Sequence, residues 1–164
     1  SNICIVGGGM GIAPLFYLTK HLLRSRTEHK EIKVFLGAAT ASDFAVVEND
    51  FASLGGVTVL IATDDGSAGH HGLVTQLLTD NLDRAENWQV YSCGPHPMMK
   101  ALAGYCLTRK WPCQVSLETL MACGISACLG CAIRGSGQDL DSSKPYLHVC
   151  KDGPVFAAGD VAWE

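Results

Sequence analysis

The sequence predicts an α/β fold built on a parallel sheet, followed by a short C-terminal segment ordered by something other than a hydrophobic core. Three observations carry this. Five strand-like runs alternate with helix-like runs between Ile3 and Glu118, the pattern of a sheet covered by helices on both faces. The first of the strand-like runs, "ICIVGG", is a short apolar run ending in glycines, as a strand buried on both faces requires. After Glu118 neither the strand nor the helix period persists, and four of the eight cysteines gather there. The architecture expected is a Rossmann-like parallel five-stranded sheet over residues 1–118, with residues 119–164 as a separate segment.

The elements follow in order. "ICIVGG" (3–8) is an apolar run ending in glycines and reads as the first strand. "APLFYLTKHLLRS" (13–25) has helical apolar spacing. "IKVFLGAA" (32–39) is the second strand, and "SDFAVVENDFASL" (42–54) a helix with Ser42 as its cap. "VTVLIAT" (57–63) and "GLVTQLLTDNL" (72–82) are the third strand and helix. "WQVYSCG" (88–94) is the fourth strand. "HPMMKALAGYCLTRK" (96–110) is a helix with prolines at its start, where they are tolerated. "CQVSLE" (113–118) is the fifth strand. The tail "PVFAAGDVAW" predicts a hairpin about its Gly-Asp pair.

Composition excludes several classes. The net charge is −4 with no basic stripe, which argues against nucleic acid as a partner. No apolar run approaches the roughly 18 residues of a membrane span, and no signal-peptide pattern appears. Clustered cysteines in such a chain point to a metal site in a reducing compartment, hence the cytoplasm, rather than to disulfides. The chain opens inside a strand with no initiator Met. That predicts that Ser1-Asn2 is foreign to the natural protein and that a further domain precedes it.

In a parallel sheet, ligands bind beyond the carboxyl ends of the strands. "GGGMGIAP" (7–14) lies there, running from the glycine end of the first strand into the start of the first helix and holding Gly7, Gly8, Gly9, Gly11 and Pro14. Glycines allow a tight turn, and the helix start offers N–H groups to a pyrophosphate. The run is not a G-x-G-x-x-G, so plain turn geometry stays open as an alternative. "TDDGSAGHHG" puts Asp64, Asp65 and Gly66 after the third strand. A carboxylate there accepts from ribose hydroxyls and repels a 2′-phosphate, favouring NADH over NADPH. A solvated acidic turn is the alternative. His70 and His71 are neighbours without a third ligand and read as exposed side chains. "SCGPHPMM" ends the fourth strand with Cys93, Gly94 and Pro95. Cys93 is either a small buried hydrophobe or a cofactor contact; no acid–base array makes it a nucleophile.

The cysteines of "MACGISACLGCAIR" are spaced C-x4-C-x2-C. With Cys150, Cys123, Cys128 and Cys131 fit the plant-type pattern for a [2Fe–2S] cluster. Gly124, Ser126, Ala127 and Gly130 let backbone N–H groups approach the negative sulfurs. Zinc and buried free thiols are the alternatives. A loop this long is functional or organised around such a centre.

The glycine turn, the "CGPxPMM"-type turn and "ACGISACLGC…VCKDGPVF" together closely resemble the electron-transfer subunit of NAD-dependent (class 1B) dihydroorotate dehydrogenases, within the ferredoxin–NADP reductase superfamily. The resemblance runs from Ile3 to Glu164. It implies a flavin barrel ahead of this chain, which supplies most FAD contacts, so this chain alone is expected to bind FAD weakly or not at all. It implies that Gly7–Gly11 faces a pyrophosphate, that Asp64 and Asp65 lie by the adenosine ribose, and that Cys93-Gly94-Pro95 sit near the nicotinamide and flavin rings. Cys123, Cys128, Cys131 and Cys150 would ligate the cluster. Electrons would pass between NAD(H), FAD and the cluster to a flavin-containing dihydroorotate dehydrogenase catalytic subunit in pyrimidine biosynthesis. Exposed Ile125 and Leu129 would line that contact. Related subunits of NADH-dependent ferredoxin:NADP oxidoreductase or sulfide dehydrogenase share the plan. A zinc-stabilised nucleotide-binding module and an inert scaffold are readings of other classes.

Overall fold

The computed structural model describes residues 2–25, 31–44, 47–137 and 145–163. Its centre is a seven-stranded sheet. β1 (Asn2–Gly8), β2 (Ile32–Ala38) and β3 (Thr58–Thr63) run side by side in parallel, and the two-residue β4 (His70–His71) extends that edge. On the other side of β1 lie β5 (Trp88–Cys93), then β6 (Cys113–Ser116), both parallel, and finally β9 (Val155–Ala157), which is antiparallel. The order is β4-β3-β2-β1-β5-β6-β9.

All five predicted strands are present. The two additional ones are a short edge pairing and the returning tail, and neither has a run long enough to read as a strand by period. The tail departs from the predicted hairpin. Val155–Ala157 pairs with β6, the Gly159-Asp160 pair lies in a 3₁₀ turn (Ala158–Asp160), and Val161 bridges to Gly135. The two arms satisfy their backbone groups on different partners instead of on each other.

The helices are α1 (Ile12–Arg24), α2 (Val47–Ser53), α3 (Val74–Asn81) and α4 (His96–Arg109). The helix expected over 42–54 is divided: a 3₁₀ turn occupies Ala41–Phe44 and α2 begins at Val47, while 45–46 lie outside the described residues. Asp43, not Ser42, reaches back to accept from the Thr40 N–H at 3.0 Å. α4 ends at Lys110, whose φ of 57° closes the helix in the left-handed conformation that glycine usually supplies.

β1 is buried at every position, because its side chains feed two cores. Ile3 and Ile5 join Val34, Leu36 and Phe51 on one face, while Cys4 and Val6 join Phe35, Val90 and Leu102 on the other. Truncating a fully buried Phe35 or Trp88 to Ala would cost about 3–5 kcal/mol. Residues 119–150, which show no sequence period, nonetheless hold a short antiparallel pair, β7 (Ala132–Arg134) with β8 (Tyr146–His148), and a single helical turn, α5 (Val149–Asp152). Three-residue strands are too short to impose alternation on a sequence.

The chain builds outward from β1 to β2, β3 and β4, then crosses back to lay β5 and β6 on the far side. The reversal lies between β1 and β5, and such a switch point leaves a crevice at the carboxyl ends of the two strands. Gly7 and Cys93 are register partners across it.

Candidate functional site

The crevice is floored by two turns in direct backbone contact. A Cβ at Gly11 would lie 2.3 Å from both the carbonyl carbon and oxygen of Cys93 and 2.5 Å from the Gly94 nitrogen. A Cβ at Gly94, which has φ +155°, would lie 2.9 Å from the Gly8 oxygen and 2.7 Å from the Met98 methyl. The two turns therefore interlock without side chains between them. This is the close-approach role of a dinucleotide-loop glycine, filled here by Gly11 although the spacing departs from G-x-G-x-x-G. Gly9 faces open space, and Pro14 is exposed in the first turn of α1. No side chain caps α1 among the described residues; the Ile12 N–H closes the preceding turn on the Gly9 and Met10 carbonyls and Pro14 has no N–H, so it is the positive end of the helix dipole that lies at the carboxyl end of β1.

The loop after β3 is held from within. The buried Thr63 hydroxyl donates to the Ala68 carbonyl at 2.8 Å and accepts from the Ala68 N–H at 3.0 Å. Asp65 Oδ1 accepts from the Ser67 N–H at 2.9 Å and from the Ser67 hydroxyl at 2.5 Å. Ser67 Oγ in turn accepts from the Ala41 N–H at 2.8 Å, tying this loop to the one after β2. The Ser67 hydroxyl, then its N–H, hold the Asp65 carboxyl below the usual aspartate value. Asp64 is exposed, and among the described residues its carboxylate has no partner. The two aspartates thus differ: Asp65 builds the turn and Asp64 is available. The Asp-x-Ser spacing of an Asx turn could have revealed this. Gly66 turns beneath the His71 ring.

Cys93 is half-buried at the end of β5, and desolvation pushes its thiol up, with Ser116 opposing. It stays protonated at neutral pH and offers a small, uncharged contact beside exposed Pro95. Cys4, Cys106 and Cys113 lie in the core under α4. Burial raises Cys4, and the hydrogen bond with Cys113 raises Cys106. They pack as hydrophobes.

The loop from Cys123 to Cys131 wraps its own sulfurs. The N–H groups of Ile125, Ala127 and Cys128 point at Cys123 Sγ at 3.5, 3.3 and 3.3 Å. Gly130 N–H points at Cys128 Sγ at 3.4 Å, and Ser126 N–H at Cys150 Sγ at 3.2 Å. Left-handed backbone at Gly124, Ser126 and Leu129 turns these groups inward. Two of those residues carry side chains, and each such conformation costs of order 1–3 kcal/mol. The sequence signalled small residues but not that Ile125 and Cys128 would donate as well. The sulfurs form two pairs: Cys128 hydrogen-bonds Cys123, and Cys131 Sγ lies 3.3 Å from Cys150 Sγ. The N–H of Cys128, then that of Ile125, lead the causes that lower the Cys123 thiol to about 6. The bond with Cys131 raises Cys150.

These donors fit a two-iron centre, which takes two thiolates per iron and is stabilised by N–H groups on its sulfurs. A structural zinc would instead take all four sulfurs on one ion.

A doubly covered parallel sheet, a glycine turn locked at its switch point and a four-sulfur loop at its edge define a dinucleotide-binding redox domain. Residues 5–104 match the oxidoreductase NAD-binding domain, and residues 118–162 match the iron-sulfur cluster binding domain of dihydroorotate dehydrogenase B. The chain belongs to the oxidoreductase NAD-binding domain family. It is 42% identical over 160 residues to the dihydroorotate dehydrogenase B (NAD(+)) electron transfer subunit of Caldanaerobacter subterraneus subsp. tengcongensis, covering 98% of this chain and 59% of that one. To the same-named subunit of Desulforamulus reducens it is 35% identical over 164 residues, 100% of this chain and 60% of that one. It superposes with a TM-score of 0.80 and 31% identity on a solved NADH-dependent reduced ferredoxin-NADP oxidoreductase described in terms of flavin-based electron bifurcation, covering 99% of this chain and 54% of that one. The chain thus spans a little over half the length of the proteins it matches. Among the described residues, no helix is long and apolar enough to cross a membrane.

Proposed function

We propose that this chain is the nicotinamide-binding and cluster-binding part of a dihydroorotate dehydrogenase electron-transfer subunit. It would serve a flavin-containing catalytic subunit in pyrimidine biosynthesis in the cytoplasm. Residues 1–118 hold the nucleotide and residues 119–164 the cluster, with β9 of the second part completing the sheet of the first. The observation that carries the reading is the pairing of four cysteine sulfurs beneath inward-turned amides, on a sheet whose switch point is a glycine crevice.

In this reading the α1 amides and the Gly7–Gly11 turn hold the pyrophosphate, and Asp64 accepts from the ribose hydroxyls. Cys93, Gly94 and Pro95 leave a flat, uncharged seat for the nicotinamide, where a protonated thiol neither attacks the ring nor repels a hydride. Cys123, Cys128, Cys131 and Cys150 ligate the cluster. FAD, held mostly outside this chain, supplies the conversion between hydride and single-electron chemistry, and the cluster supplies one-electron transfer. The exposed side chains of Leu120, Met121, Ile125 and Leu129 surround the sulfur loop and form the face offered to the catalytic subunit.

The test is co-purification from cells producing the complete polypeptide. The expected companion is a flavoprotein that oxidises dihydroorotate. Recovery with a ferredoxin-linked partner instead would favour a subunit of an NADH-dependent ferredoxin:NADP oxidoreductase, the reading that the TM-score of 0.80 supports next best.

A further inference from the structure

We infer that His96 and Trp163 form a positioning pair for the nicotinamide half of the dinucleotide, through which the C-terminal tail braces the seat built by the sheet. The inference deepens the proposed function and rests on Cys93, Gly94 and Pro95 being that seat.

His96 is the first residue of α4 and follows Pro95 directly. It is exposed, and among the described residues no side chain caps this end of α4. An exposed ring there would ordinarily sample several rotamers. Instead it faces Trp163, with ring centroids 5.4 Å apart and planes tilted by 49°, within the range of a favourable aromatic contact. The indole is the fixed member of the pair. Its Nε1–H donates to the Ala158 carbonyl at 2.8 Å, and the ring packs against the core that holds Phe156, Ala158 and Val161.

The tail that carries Trp163 is pinned in turn. The Ser136 N–H donates to the Asp160 carbonyl at 2.8 Å, Val161 bridges to Gly135, and the Ala162 N–H donates to the Arg134 carbonyl at 3.0 Å. The tail also touches the far end of α4: a Cβ at Gly159 would lie 3.7 Å from the Leu107 side chain. It therefore runs back along α4 from Leu107 to His96 and delivers Trp163 beside the carboxyl end of β5. There Gly94, at φ +155°, turns against the Gly8 backbone and the Met98 methyl. Holding the His96 ring fixes the direction in which the chain leaves that turn. A seat ordered in advance spares the ligand the cost of ordering it. The proposed ribose acceptor Asp64 follows β3, three strand spacings from β5 in the sheet order, or roughly 14 Å. The brace should therefore act on one half of the dinucleotide and not on the other.

The experiment uses the complete polypeptide and two ligands in calorimetric titration: NAD⁺, which does not reduce a bound flavin, and ADP-ribose, which lacks the nicotinamide. His96→Ala removes the ring at an exposed position and should leave Tm at the parent value. It should weaken NAD⁺ binding roughly two- to tenfold, the worth of an aromatic pair, and leave ADP-ribose affinity unchanged. Trp163→Leu should divide the ligands in the same way, and the double variant should lose no more than the more affected single one, because the two rings act as a unit. His96→Phe keeps a ring against the indole and should restore NAD⁺ affinity. Parent-level NAD⁺ affinity in both single variants, equal losses for both ligands, additive losses in the double variant, or no rescue by His96→Phe would overturn the inference while nucleotide binding itself stands. A parent polypeptide that binds neither ligand would overturn the proposed function with it.

Discussion

Gly11→Ala tests the crevice most sharply. The added methyl would sit 2.3 Å from two backbone atoms of Cys93, whereas ordinary contact begins near 3.4 Å. The loop and the Cys93–Gly94 turn must therefore separate by about 1.1 Å, the difference between those distances. Neither partner is the tip of a flexible side chain, so the cost falls at the upper end of overpacking, about 3 kcal/mol. For a chain of this size that corresponds to a fall in Tm of about 6–12 °C. Because the same movement widens the nucleotide seat, NADH affinity should fall at least about tenfold in parallel, roughly 1.4 kcal/mol. Two other glycines calibrate the result. Gly9 has φ +54° and no atom within 4 Å of its would-be Cβ, so Gly9→Ala should lose only the left-handed penalty, about 1–2 kcal/mol. Gly104 lies in α4 with equally open space, and Gly104→Ala should stabilise by about 0.5–1 kcal/mol. Calorimetry and NADH titration on the three variants give the ranking. If Gly11→Ala unfolds within 2 °C of the parent, measured against the ~6 °C minimum expected, while Gly9→Ala is the more damaging, the interlocked-turn argument is wrong.

Asp64→Ala should weaken NADH binding by about 1.5–3 kcal/mol, the worth of hydrogen bonds to a charged acceptor, and narrow the preference over NADPH; Asp65→Ala should act mainly on stability, because Asp65 braces Ser67. Equal losses of affinity in isothermal titration would contradict that division. In metal-free protein, Cys123 should be alkylated ahead of Cys93, since its thiol is lowered to about 6 while that of Cys93 is raised. The lowered value means that thiolate predominates above pH 6, so the rate should hold from pH 8 to 7 and fall through about 6; mass spectrometry showing Cys93 modified first would refute it. Ile125→Asp should leave the unfolding free energy within about 0.5 kcal/mol of the parent, as for an exposed position, yet abolish assembly with the proposed catalytic subunit. Unchanged assembly in gel filtration removes Ile125 from the proposed face.

Much of this was legible in the sequence for identifiable reasons. β1 is buried at every position, and β2 and β5 carry apolar residues into the cores on both faces of the sheet, so their strand character depends on no single neighbour. The cysteine spacing was equally plain, since the spacing of residues along a loop is a local property. Three features were hidden. β7 and β8 are held by pairing with each other rather than by pattern. β9 leaves the tail to join β6 at Val115↔Phe156, a choice made by a distant edge. Likewise, the unequal roles of Asp64 and Asp65 depend on Ser67 and on Ala41, 26 residues away from it.

The most direct test of the whole reading is the visible spectrum of anaerobically purified protein with iron, sulfide and zinc quantitation. The paired sulfurs of Cys123/Cys128 and Cys131/Cys150 predict a reddish-brown protein with two irons and two acid-labile sulfides per chain. A folded, colourless chain carrying stoichiometric zinc, or no metal at all, would contradict it.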